Sequence, residues 1–107
     1  MMNLNLKATN FELEEKTRDF VEKKAGIMVE KFSKKTGVDW RVEIEIERVK
    51  KHSKGDVFRA EMQIIFPGAA KGIRAEGNGA TWRQAIDKAN QRARREIRDF
   101  KEKKLKS

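Results

Sequence analysis

The chain has 107 residues, enough for one hydrophobic core and too few for two. It contains no cysteine, which excludes disulfides and thiol chemistry and fits a reducing compartment. Its 26 lysines and arginines against 17 acidic residues give a net charge of +9, a field that draws polyanions, with nucleic acid and an anionic membrane surface as competing candidates.

Apolar residues make up only 37% of the chain, but they recur periodically, so a folded domain with a thin core is expected rather than disorder. No apolar run approaches the roughly 20 residues that span a bilayer. Met1 to Lys7 lacks the basic-then-apolar layout of a secretory signal. A soluble, cytoplasmic protein is the expectation.

Met2, Leu4 and Leu6 alternate with Asn3, Asn5 and Lys7, the pattern of a short half-buried strand. From Glu12 to Phe32, Leu13, Phe20, Val21, Ala25, Met28 and Phe32 mark one face of a helix, weakened at Gly26 and ended by Ser33 to Gly37. Val38 to Val49 alternates strictly, with Trp40, Val42, Ile44 and Ile46 on one side and Arg41, Glu43, Glu45 and Glu47 on the other. After the basic turn Lys50 to Gly55, Val57 to Phe66 repeats the alternation until Pro67-Gly68 breaks it. Ile73 to Glu76 forms a short fourth strand closed by Gly77-Asn78-Gly79. Thr81 to Gln84 fits a capping box. It opens a second helix with Trp82, Ala85, Ile86, Ala89, Ala93, Ile97 and Phe100 on its apolar stripe, fraying in the lysines beyond Phe100.

The expected fold is α+β, in the order β-α-β-β-β-α, a two-layer sandwich. The last three strands run antiparallel, and both helices cover the one apolar face of a four-stranded sheet. One domain spans 1–107, with an ordered core over 2–101 and a basic tail at 102–107.

The charge excess is concentrated on the second helix. Trp82 to Ser107 holds ten lysines and arginines against four acidic residues. At roughly 100° per residue, Arg83, Arg94, Arg98 and Lys101 project away from the apolar stripe, Lys88 and Arg95 lie on a flank, and Arg92 sits nearer the packed edge. Arg94 with Arg98 and Arg95 with Arg98 are like-charge neighbours, each pair costing a free helix about 0.2–0.5 kcal/mol. A face needed only for solubility would interleave the signs, as the first helix does. Arginine's planar fork suits phosphate. Lys34, Lys35 and Lys50 to Lys54 are further candidates for phosphate contact, with plain solvation the simpler account of the turn.

No catalytic, cofactor or metal site is expected. His52 lies in a lysine-rich turn without a paired carboxylate or nucleophile. Glu43, Glu45 and Glu47 read as a solvent-facing row with basic cross-strand partners such as Arg59. Trp40 and Trp82 read as core. The outer sheet face lacks the aromatics of an RNA-recognition motif, and the GXXG loop of a KH domain is absent.

Asn10-Phe11-Glu12-Leu13, Arg18 to Lys24, Gly55 to Glu61, Arg74 to Gly77, Ala85-Ile86-Asp87 and the series Arg92, Arg95, Arg98, Lys101 together carry a resemblance. In their order and spacing the chain resembles the ribosome hibernation promoting factor family, also called the ribosome-associated inhibitor or sigma-54 modulation family. The resemblance implies a fold similar to a double-stranded-RNA-binding domain. It also implies binding to 16S rRNA of the small subunit, or to the 70S ribosome, in the channel for mRNA and tRNA, with translation inhibited in stationary phase or stress. It implies no enzyme activity, no small-molecule substrate and no membrane association. By position it assigns rRNA contact to Lys24, Lys88, Arg92, Arg95, Arg98 and Lys101, and helical geometry adds Arg83 and Arg94. Ile27 stands where a lysine is common, Gly26 and Thr17 depart from the usual helix former and leucine, and Asn78-Gly79-Ala80 lengthens the turn before the second helix. Ending at Ser107, the chain looks like a short form, expected to be monomeric when free. The alternatives are a generic rRNA or double-stranded-RNA module with an assembly role, and a regulatory protein–protein partner.

Overall fold

The computed structural model describes residues 3–36, 40–49, 57–66 and 69–106, and side chains over 3–31, 40–49, 57–66 and 72–100. Six elements follow in order: β1 (Asn3–Thr9), α1 (Glu15–Thr36), β2 (Arg41–Arg48), β3 (Phe58–Phe66), β4 (Ala69–Gly79) and α2 (Trp82–Lys106). They form the expected α+β sandwich. Pro67-Gly68, the turn Lys50 to Asp56 with His52, and Gly37 to Asp39 lie outside the described residues, as does Met2.

The sheet order is β1-β2-β3-β4. β2, β3 and β4 are antiparallel, as their short connections require. β1 pairs with β2 in parallel, Leu4 opposite Val42 and Leu6 opposite Ile44, so the sheet is mixed. A helix between two neighbouring strands returns the chain to the same end of the sheet, and α1 is that crossover.

Strand alternation sets which face is inner. Val42, Ile44, Ile46, Ala60, Met62 and Ile64 are buried and join Val21, Ala25, Met28 and Val29 of α1 and Ala85, Ile86, Ala89, Ala93 and Ile97 of α2 in one cluster. Both helices therefore share the apolar face. Trp40 is 1% exposed and stacks on Phe66 at 4.4 Å between ring centroids.

The outer face is a charge lattice. Arg59 reaches Glu61 at 3.1 Å, Glu76 at 2.5 Å and Glu47 at 4.0 Å, while Arg74 reaches Glu61 at 3.1 Å. The hydrogen bond to Glu76 raises the Arg59 guanidinium above its already high pKa, with burial opposing. Glu43 takes Arg41 at 3.0 Å, and the Thr9 hydroxyl donates to Glu45 at 2.6 Å. Of the glutamate row only Glu47 takes the basic cross-strand partner expected, Arg59; Glu43 pairs along its own strand and Glu45 with a hydroxyl on β1. Among the described residues no group of acidic or histidine side chains is arranged to hold a metal.

Several boundaries differ from the sequence pattern. α1 starts at Glu15 rather than Glu12, because Asn10 adopts a left-handed turn with φ 66° and Glu14 supplies the first accepting carbonyl, to Arg18 N–H at 3.0 Å. It continues to Thr36, past the stop expected at Ser33. Gly77, Asn78 and Gly79 are strand, not turn: they pair with Ala60, Arg59 and Phe58. A Cβ on Gly77 would run into the Ala85 carbonyl and lie 2.5 Å from Ala89 N, and one on Gly79 would lie 2.7 Å from Ala85 N. These glycines let the backbone of α2 settle directly on β4, the strand role of a residue without a side chain.

α2 runs to Lys106 instead of fraying after Phe100. Lysine-rich sequence suits the negative end of the helix macrodipole. Among the described residues no helix is long and apolar enough to cross a membrane.

Candidate nucleic-acid interface

The N-terminus of α2 is capped by its own sequence. The Gln84 N–H donates to the Thr81 hydroxyl at 3.1 Å, and the Ala80 N–H donates to the Gln84 side-chain oxygen at 2.9 Å. The return bond reaches one residue before the cap, a variant of the reciprocal capping box. With the first turn fixed and Ala85, Ile86, Ala89, Ala93 and Ile97 fully buried, the roll of the helix is set. Everything opposite that stripe is presented to solvent.

Lys88, Arg94, Arg95 and Arg98 are exposed and stand in no ion pair among the described residues. At roughly 100° per residue, Arg94 and Arg98 continue the line of Arg83, whereas Lys88, Arg92 and Arg95 form a second row nearer β4. Glu96 and Asp99, on the same helix, leave these cations unpaired. The like-charge crowding expected from the sequence is therefore present and uncompensated.

The other expected contact residues are held by the protein itself. Arg92 donates to the Glu76 carbonyl on β4 at 2.9 Å, which clips the helix to the sheet edge. Lys24 comes from α1, its ammonium 2.9 Å from Asp87 Oδ1 and 5.7 Å from the Phe20 ring centre. Asp87 Oδ1 is buried with no aligned hydrogen bond, so its contact with Lys24 is a charge contact. Arg83 lies over the Phe20 ring at 4.6 Å and near Trp82 at 5.4 Å. The side chains of Lys101, Lys34, Lys35 and Lys50 to Lys54 fall outside the described residues.

Two features escaped the residue pattern. Trp82 is half-buried at the rim, edge-on to Phe20 with centroids 5.4 Å apart, not core. Asn90 is 5% exposed with Oδ1 unbonded, inside the apolar stripe. Its signal was a polar residue four after Ile86 and three before Ala93. Ile27, 62% exposed on α1, is an apolar side chain on a lysine-bearing surface.

Residues 4–105 match the family described as Sigma 54 modulation protein / S30EA ribosomal protein. No curated protein matches the chain. Among solved structures it is similar to the Thermus thermophilus Protein Y N-terminal domain, with 25% identity and a TM-score of 0.72 over 92% of this chain and 99% of that one. It shares its fold with a ribosomal subunit interface protein from Coxiella burnetii, at 13% identity and a TM-score of 0.67, covering 94% of this chain and 98% of the other.

Proposed function

Because the chain belongs to the Sigma 54 modulation protein / S30EA ribosomal protein family, we propose that it is a ribosome hibernation factor that lays α2 against 16S rRNA in the mRNA and tRNA channel of the small subunit. Occupying that channel blocks translation by exclusion, without chemistry, and serves cells in stationary phase or stress. The observation that carries the assignment is the row of exposed cations, unpaired among the described residues, on a helix whose opposite side is fixed to the sheet. A phosphate backbone neutralises such a row and repays the repulsion within it.

Lys88, Arg94, Arg95 and Arg98 make the principal phosphate contacts. Arg83, Arg92, Lys24 and Lys101 border them, Arg92 and Lys24 keeping part of their hydrogen-bonding capacity for the fold. Arginine is favoured over lysine in this row because its fork engages two phosphate oxygens at once.

Co-sedimentation with 30S subunits and poly(U)-directed synthesis test the proposal. The protein is expected to travel with 30S subunits at low salt and to inhibit synthesis. Arg95→Glu with Arg98→Glu is expected to do neither while melting at the same temperature, since both side chains are exposed. A double variant that still co-sediments would show that another surface binds.

A further inference from the structure

Phe20 on α1 and Trp82 and Arg83 on α2 form a cluster that phosphate binding does not require. Both rings are half-buried and meet edge-on, their centroids 5.4 Å apart. The Arg83 guanidinium lies 4.6 Å from the centre of the Phe20 ring and 5.4 Å from that of Trp82. Arg83 is exposed and has no carboxylate partner among the described residues. An arginine used only as a solvated charge gains nothing from being laid across two aromatic rings. One that must present its plane gains a good deal, because cation–π contact holds the planar group in place before a ligand arrives.

We infer that Arg83, backed by Phe20 and Trp82, is a stacking platform for one unpaired nucleobase of the bound RNA. The inference rests on the ribosome reading and adds a base contact to its phosphate contacts. Bases stack on guanidinium planes as they do on aromatic rings, and such stacks tolerate any base. The location fits. Arg83 lies on the same line of α2 as Arg94, eleven residues or about 16 Å along the axis, so a strand whose phosphates follow the arginine row meets the platform at the N-terminal end of the helix. Only an unpaired base exposes a face there, because a base within a duplex is already covered on both sides. Lys24, 5.7 Å from the Phe20 ring centre and tied to Asp87, adds positive charge beside the platform.

The test is 30S binding across a salt titration for the parent, Arg83→Lys and Phe20→Leu, with Arg95→Glu/Arg98→Glu alongside. Neither single substitution changes the charge. The first removes the plane, and the second removes its support while leaving the arginine fork intact. Each is expected to weaken binding about tenfold with the salt slope unchanged, and Trp82 fluorescence in the parent is expected to be quenched on binding. Should Phe20→Leu loosen the fold in a thermal melt, Arg83→Lys and the quenching decide the matter, since Arg83 is exposed. Parent-like binding by Arg83→Lys, or binding that leaves Trp82 emission untouched, overturns the platform while the charge-reversal variant still judges the ribosome reading. A parent that ignores 30S subunits at low salt removes both.

Discussion

Gly77 shows how much one missing side chain accomplishes. An added Cβ meets the backbone of α2 at the Ala85 carbonyl and at Ala89 N, and neither atom has a rotamer through which to yield. Gly77→Ala is therefore expected to cost about 1–3 kcal/mol, the range for overpacking a tight interior, read as a lower midpoint in thermal or denaturant unfolding. An unchanged midpoint would mean that the helix is free to shift. Thr81 is the other position where a small group has a large effect. Its hydroxyl satisfies the Gln84 N–H, so Thr81→Ala is expected to lose about 0.5–2 kcal/mol in the same measurement. The sequence displayed the cap openly, as a threonine three residues before a glutamine. It displayed the glycines as a turn. Gly-Asn-Gly is ordinary turn composition, and only the helix lying across the strand reveals that the glycines clear space.

Among the elements, α2 combines the strongest sequence signal with the most functional content. Its apolar stripe was legible because five core positions repeat at helical spacing, and its basic side followed from the same geometry. The roles of Arg92 and Lys24 were not legible, since a carbonyl on β4 and a carboxylate one helix away are contacts made only by tertiary packing. Trp82 misled for a related reason: it sits at the stripe's end, packed against the core but only half-buried, and meets Phe20 of α1 in an edge-to-face contact. The alternation of β2 and β3 announced their pairing, but nothing within β1 distinguishes a parallel neighbour from an antiparallel one. That required knowing where α1 returns the chain. The clip from Arg92 to β4 has a measurable side. Arg92→Gln is expected to weaken 30S binding by less than Arg95→Gln, because part of its guanidinium already serves the sheet edge. Equal losses in a binding titration would count against that division.

For the molecule as a whole, the two faces oppose one another electrically. The sheet's outer surface closes its charges internally through Arg59, Arg74, Glu61 and Glu76. The helical surface leaves Lys88, Arg94, Arg95 and Arg98 without ion pairs among the described residues. The contrast favours approach of a polyanion on the helical side. With Lys88, Arg94, Arg95 and Arg98 as the phosphate contacts, each releasing counterions, the logarithm of the binding constant should fall against the logarithm of salt with a slope of about −3. A slope near zero would point to a protein partner on the ribosome instead of its RNA.

The seating of α2 on Gly77 and Gly79 reaches beyond stability. The helix rests on bare backbone near its start, whereas Arg98 stands about 20 Å farther along the axis from Ala85. A small wedge at the seat therefore acts as a crowbar, swinging the far guanidiniums out of step with the ridge of phosphates they face. Damage at a buried glycine would then register as poor grip as well as in the melting midpoint.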